Sequence, residues 1–203
     1  MTESFPEYRT RILGYLGSRD PVGVLRVTPS QLARLLTGAS RVVLTTRPAV
    51  GKWSVLEIVA HLADAELALS WRIRNAIASP GVALAWWDQA VWADRLGYQI
   101  IPWRASVGRF KALRFANLTL LRSLPSASWD ACYGTHATRG RQSVRDFVTL
   151  EAAHDLNHLR QIRALIQSAS ALPEASTRPN PRLQRTGMRP PLSRQPLGRA
   201  GKG

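Results

Sequence analysis

Residues 54–79 read SVLEIVAHLADAELALSWRIRNAIAS, and this stretch decides the fold class. Ser54-Val55-Leu56-Glu57 is a capping box: the Ser54 hydroxyl accepts from an amide one turn in, and Glu57 reaches back. Ile58, Leu62, Ala65, Leu69, Ile73 and Ala76 then recur on one helical stripe. Pro80-Gly81 ends the run. At 1.5 Å per residue the segment spans about 39 Å, a full bundle arm.

The same signals repeat on either side. Residues 103–124 form a second long arm, with Phe110, Leu113, Asn117, Leu120 and Leu124 on one side and Pro125 beyond its end. Ser143-Val144-Arg145-Asp146 opens a third, running to about residue 168. Towards the N-terminus, residues 5–16 read as a short helix closed by Gly14 and Gly17. Asp20-Pro21 and Thr28-Pro29 each place an N-cap residue before a proline at the first helical position. Residues 29–36, with Leu32, Leu35 and Leu36, stop at Gly38. Residues 41–46 could supply a short β piece but nothing that organises a sheet. Four helical arms imply an all-α four-helix bundle. The link after residue 79 holds 22 residues and can extend to about 70 Å, so the two arms it joins are free to run parallel.

Composition sets outer limits. The chain has 203 residues, 28 Lys+Arg against 13 Asp+Glu, and a formal net charge of +15. Its hydrophobic content of 45% excludes wholesale disorder. A single cysteine, Cys132, excludes a disulfide scaffold or a cysteine-rich zinc module and reads as a packing residue. No apolar run spans a membrane, and MTESFPEYRTRILGYL is not a secretory signal, so the cytoplasm is the expected compartment. Seven of the basic residues and no acid lie in residues 175–203, with five prolines and no aromatic residue. Residues 1–172 are therefore read as the bundle and 173–203 as a basic Pro/Gly/Arg-rich disordered tail. The remaining +8 has no aromatic-basic stripe behind it, and nucleic acid is not expected as a partner.

The chemistry-bearing residues are histidines. His154 and His158 stand at i, i+4 on one face of the last arm, with Glu151 a turn earlier and Gln161 beyond. His61 lies at the edge of the first stripe. It sits seven residues past Ser54, while His158 sits about ten before its helix ends. Antiparallel neighbours would bring the three imidazoles to one height. On pattern alone, ligands and ordinary buried histidines are equally good readings, because H-x-x-x-H without the H-E-x-x-H glutamate is not a zincin site. Asp64 and Gln161 face near the histidines, and Glu151 could orient an imidazole or accept a proton. Asp64, Gln161 and Glu151 are thus the catalytic or supporting candidates. His136, in a Gly-flanked loop, reads as no ligand unless the loop folds back. Trp86 and Trp87 could wall a pocket, and Trp53 could staple onto Ile58.

GKWSVLEIVAHLADAEL, WRIRNAI, WDQAVWADRLGY, GTHATRG and AAHDLNHLRQIRALI together resemble the DinB-like (DinB/YfiT) superfamily of small bacterial bundles. The resemblance covers about residues 5–168. It implies an up-down-down-up topology with the long crossover between helices 2 and 3. It also implies a divalent metal held by His61, His154 and His158, with zinc, nickel, iron and manganese not distinguished. Three imidazoles leave positions open, which is the catalytic pattern. The implied activity is a metal-dependent hydrolase or thiol S-transferase on a small molecule, with a low-molecular-weight thiol as co-substrate and a homodimer as assembly. The acidic residue usual after the second helix is replaced by Ala78-Ser79-Pro80. Two other readings stay open: a non-catalytic stress-related dimer, and a nucleic-acid-associated protein acting through its tail.

Overall fold

The computed structural model describes residues 3–170. The tail expected over 173–203 lies outside the described residues. Eight helices run α1 (Phe5–Leu16), α2 (Pro21–Leu36), α3 (Arg41–Thr45), α4 (Val55–Ala78), α5 (Gln89–Arg95), α6 (Trp103–Ser123), α7 (Ser128–Ala131) and α8 (Val144–Ser170). Three short strands, β1 (Val82–Ala83), β2 (Tyr133–His136) and β3 (Gly140–Ser143), form a sheet in the order β1-β2-β3. α2, α4, α6 and α8 are the bundle, and α1 packs outside it.

The capping boxes form as the sequence demands. Ser54 Oγ accepts from the Glu57 amide at 3.3 Å, and Glu57 Oε2 accepts from the Ser54 amide at 2.8 Å. Ser143 and Asp146 repeat the exchange at the head of α8, at 3.1 and 2.9 Å.

Chain direction follows from two apolar clusters at opposite ends. One joins Leu32 and Leu36 of α2, Ile58 and Leu62 of α4, Val107 and Phe110 of α6, and Leu159 and Ile162 of α8. The other joins Val24 and Leu25, Leu69 and Ile73, Leu118 and Leu121, and Phe147 and Val148. Between the clusters residue numbers fall along α2 and α8 and rise along α4 and α6. The bundle is therefore up-down-down-up, and the crossover over residues 79–102 joins the parallel pair α4 and α6.

A polar layer separates the clusters. Arg114, 1% exposed, donates from Nη1 to Asp155 (2.7 Å) and from Nη2 to Glu66 (2.7 Å) and Asp155 (3.3 Å). Asn117 donates to Glu66 at 2.7 Å and accepts from Ser70 at 2.6 Å. Arg114 takes a place on α6 that an apolar stripe does not predict. The buried face is Ser106, Val107, Phe110, Arg114, Asn117, Leu118 and Leu121, with Leu113 and Leu120 half-buried beside it.

Three local expectations are corrected. Thr28 is not an N-cap: α2 continues through Pro29, and Thr28 Oγ1 donates to the Val24 carbonyl at 2.9 Å. Pro29 has no amide to give the Leu25 carbonyl, a loss that normally breaks a helix. Arg114 Nη1 donates to that carbonyl instead, at 2.9 Å. Residues 41–46 contain a capped helical turn, α3, rather than a β piece, with Ser40 Oγ accepting from Val43. α1 passes straight through Gly14 and ends only at Gly17, whose φ of 57° suits glycine.

The small sheet was not foreseen. β1 pairs parallel with β2, and β2 pairs antiparallel with β3. Gly134 permits the first pairing, since a Cβ there would stand 2.3 Å from Leu84 Cδ2. The sheet folds residues 133–143 back over the crossover and so shapes one wall of the site.

Candidate metal centre

His61 is fixed on the buried face of α4, 1% exposed, two turns in from Ser54. His154 and His158 come from one face of α8, which runs antiparallel to α4. Nε2 of His154 lies 3.0 Å from Nε2 of His61 and 3.0 Å from Nε2 of His158. All three rings thus present the same nitrogen to one point. The three rings stand at one height, as the helix spacing implies, and Ile58 and Leu62 accordingly share a cluster with Leu159 and Ile162.

The far nitrogens decide how each ring is held. His158 Nδ1–H donates to Gln161 Oε1 at 2.8 Å, which leaves the Nε2 lone pair facing the centre. His154 Nδ1 lies 3.5 Å from Glu151 Oε1, within ion-pair range but too long for a good hydrogen bond. His61 Nδ1 is buried without a hydrogen-bond partner. Its ring is held by packing instead, with the Trp53 ring centroid at 4.9 Å and the Trp87 centroid at 5.9 Å.

Burial, followed by the other imidazoles, holds His61 well below the usual histidine pKa. Burial and His154 do the same to His158. Burial also works against a charge on His154, but the Glu151 carboxylate overcomes it and raises its pKa. Two neutral imidazoles beside a carboxylate-backed third form a donor set that suits a borderline divalent cation. Three convergent Nε2 atoms and an orphaned His61 ring nitrogen make poor sense as a hydrogen-bonded core, because His154 Nε2 carries either one proton or one lone pair and faces two neighbours. The residues therefore fit a metal ion, and three protein ligands would leave coordination positions open.

The centre lies at a cavity of about 1070 Å³. Trp53, Trp86 and Trp87 contribute to its walls, together with Tyr8 of α1 and His136 of β2. Trp53 serves as a ring support for His61 as well as packing beside Ile58.

The other candidates separate. Glu151 meets the centre through His154 rather than pairing with an arginine. Gln161 holds the outer nitrogen of His158. Asp64 does not reach the triad: its carboxylate accepts from the Tyr98 hydroxyl at 2.5 Å and pairs with Arg109 at 2.7 Å, tying the crossover to α4 and α6. Asp155 adjoins His154, but Arg114 occupies it. The loop holding His136 does fold back as β2, and His136 lines the cavity without joining the three converging rings. Sequence reasoning passed over Arg72 and Arg139, which also line the cavity. Two arginines 67 residues apart share no motif or spacing that would mark them.

Fold and site together define a four-helix bundle with a three-histidine cluster of the kind that holds a divalent metal. A family model for the DinB superfamily matches residues 25–162, and the chain belongs to that superfamily. Relatives named "Putative metal-dependent hydrolase" include one from Geobacillus kaustophilus, 24% identical over 71% of this chain and 81% of its own length. Another, from Oceanobacillus iheyensis, is 27% identical over 57% of this chain and 66% of its own. Among solved structures, YfiT from Bacillus subtilis superposes with a TM-score of 0.69 at 19% identity, covering 84% of this chain and 91% of that one. YfiT is described as "a probable metal-dependent hydrolase with an unusual four-helix bundle topology". No helix among the described residues is long and apolar enough to cross a membrane.

Proposed function

We propose that this chain is a metal-dependent enzyme that activates a nucleophile, water or a low-molecular-weight thiol, against a small molecule bound in the cavity. The observation that carries the proposal is the convergence of three Nε2 atoms at the wall of that cavity. His61, His154 and His158 would hold the ion, and the names of the relatives support the same reading. A divalent cation there supplies Lewis acidity, lowering the pKa of a nucleophile and polarising the group attacked.

The chain's own residues do the rest. Gln161 keeps the His158 proton on Nδ1, so the ligand nitrogen stays free. Glu151 stands behind the outer nitrogen of His154 and steadies that ring. Trp53 and Trp87 keep water from one side of His61.

The test is turnover by the full chain against a panel of esters, amides and thiol-acceptor electrophiles, with and without added zinc, nickel, iron or manganese. The reading predicts activity that needs metal and is lost in His154→Ala. Activity that survives chelation and this substitution contradicts it.

A further inference from the structure

The cavity has a second polar pole. Arg72 of α4, Arg139 of the β2–β3 turn and His136 of β2 all line it. Arg72 lies 11 residues beyond His61, about 16 Å along the axis. Its Cα is therefore set well down α4 from the imidazole cluster.

Among the described residues neither arginine has an ion-pair partner. Arg72 Nη2 makes one long hydrogen bond, 3.3 Å, to the Ala85 carbonyl. The Arg139 guanidinium rests 4.5 Å from the centroid of the Phe5 ring, which orients it without neutralising it. Glu151 is the acid whose field reaches Arg72, but it is directed to His154. Arg114, the one fully buried arginine among the described residues, is by contrast paired with Glu66 and Asp155.

His136 completes the set. Its Nδ1 accepts from the Thr138 amide at 3.2 Å, so the proton of the neutral ring sits on Nε2. That Nε2–H is a donor with no partner among the described residues. Burial and the charges of Arg139 and Arg72 keep the ring neutral, holding its pKa below the usual value. Burial and the charge of Arg72 lower Arg139 in the same way.

We propose that Arg72, Arg139 and the His136 Nε2–H form a subsite for an anionic group, a carboxylate or a phosphate, on an elongated small molecule. The proposal rests on the metal-dependent reading for what happens at the other end: the anionic group is seated here while the reactive group reaches the three histidines. Two guanidiniums and an imidazole N–H are donors of the kind that carboxylate and phosphate oxygens accept from. A neutral substrate would leave two part-buried cations uncompensated.

The experiment is a titration of the full chain, chelator-treated and metal-loaded, with succinate, inorganic phosphate and neutral succinamide, followed by tryptophan fluorescence at low and high salt. Trp86 and Trp87 line the cavity and provide the signal. Binding of succinate or phosphate to the metal-free chain, with succinamide silent, is the expected result. Which anion binds more tightly identifies the group.

Arg72→Met and Arg139→Met should each weaken binding by about tenfold. Arg72→Lys should lose less, and Arg122→Met, on the exposed end of α6, nothing. If one methionine variant fails to fold, the other carries the test. Equal binding of succinamide, or unchanged affinity in the folded methionine variant, overturns the proposal. So does binding that appears only with metal, since the anion would then sit at the histidines. A chain that binds anions but no metal keeps this subsite and refutes the metal reading, so the two failures are distinguishable.

Discussion

Two polar clusters lie inside this bundle, and they differ in how completely they are satisfied. Around Arg114, Glu66 and Asp155 are both buried and both paired, Asn117 donates to Glu66, and the carbonyl freed by Pro29 is taken up. Only Arg114 Nε lacks a partner. Around His154, three ring nitrogens face one another, and the outer nitrogens of His61 and His154 have no hydrogen bond. The first cluster is closed and holds four helices in register. The second is open towards a cavity and leaves ring nitrogens without partners. Burial of polar groups alone does not mark a functional site; buried groups left short of partners do.

That contrast can be broken by mutation. The largest effect is expected for Arg114→Met, which strands two buried carboxylates and the Leu25 carbonyl. Removing one partner of such a network costs about 3–5 kcal/mol, read by chemical denaturation of the metal-free chain. A loss below about 1 kcal/mol would mean that the layer does not hold the helices.

His154→Ala should behave in the opposite manner. The metal-free chain should keep its stability to within about 1 kcal/mol, because the site it empties was not satisfied. The stabilisation that added metal gives the native chain, about 3–4 kcal/mol at a hundred to a thousand times Kd, should vanish. Thermal melting with and without metal reads both.

A smaller effect is expected for Gln161→Leu. Losing the acceptor for His158 Nδ1–H frees the ring to turn, and metal affinity should fall by about 10–100-fold with the fold intact. Isothermal titration measures it, and unchanged affinity would show that Gln161 does not set the ring.

The smallest effect is on pH dependence. His61 and His158 have pKa values lowered by burial, so the unfolded chain takes up their protons first as pH falls. Their contribution is complete above about pH 6.5 and is lost progressively below it. His154, raised by Glu151, works in reverse, and its contribution is lost as pH rises through its folded value. The metal-free double variant His61→Phe with His158→Leu should therefore show a shallower acid loss than the native chain. An unchanged slope would contradict the buried-neutral assignment.

Much of this was legible in the sequence for local reasons. The Ser54–Glu57 and Ser143–Asp146 boxes fix where α4 and α8 start, and i, i+4 spacing puts His154 and His158 on one face. Counting forward from the start of α4 and back from the end of α8 then brings His61 level with them. What escaped depends on partners distant in sequence. Helix α2 runs through Pro29 because an arginine 89 residues on answers the Leu25 carbonyl. Strands of two to four residues carry no periodic signal, and β1 pairs with β2 only because Gly134 leaves room for Leu84. Asp64 has helical spacing suited to the histidines, yet Tyr98 and Arg109 claim it. The cationic pole is assembled from α4 and a hairpin tip, and neither segment announces the other.

The central claim is that the unsatisfied imidazoles are a metal site, and metal stoichiometry tests it most directly. Full-length chain stripped with chelator, reloaded and desalted should retain about one divalent ion per chain, falling to background when His61, His154 and His158 are all alanine. Less than about 0.2 ion per chain, or a level unchanged in the triple variant, would contradict it.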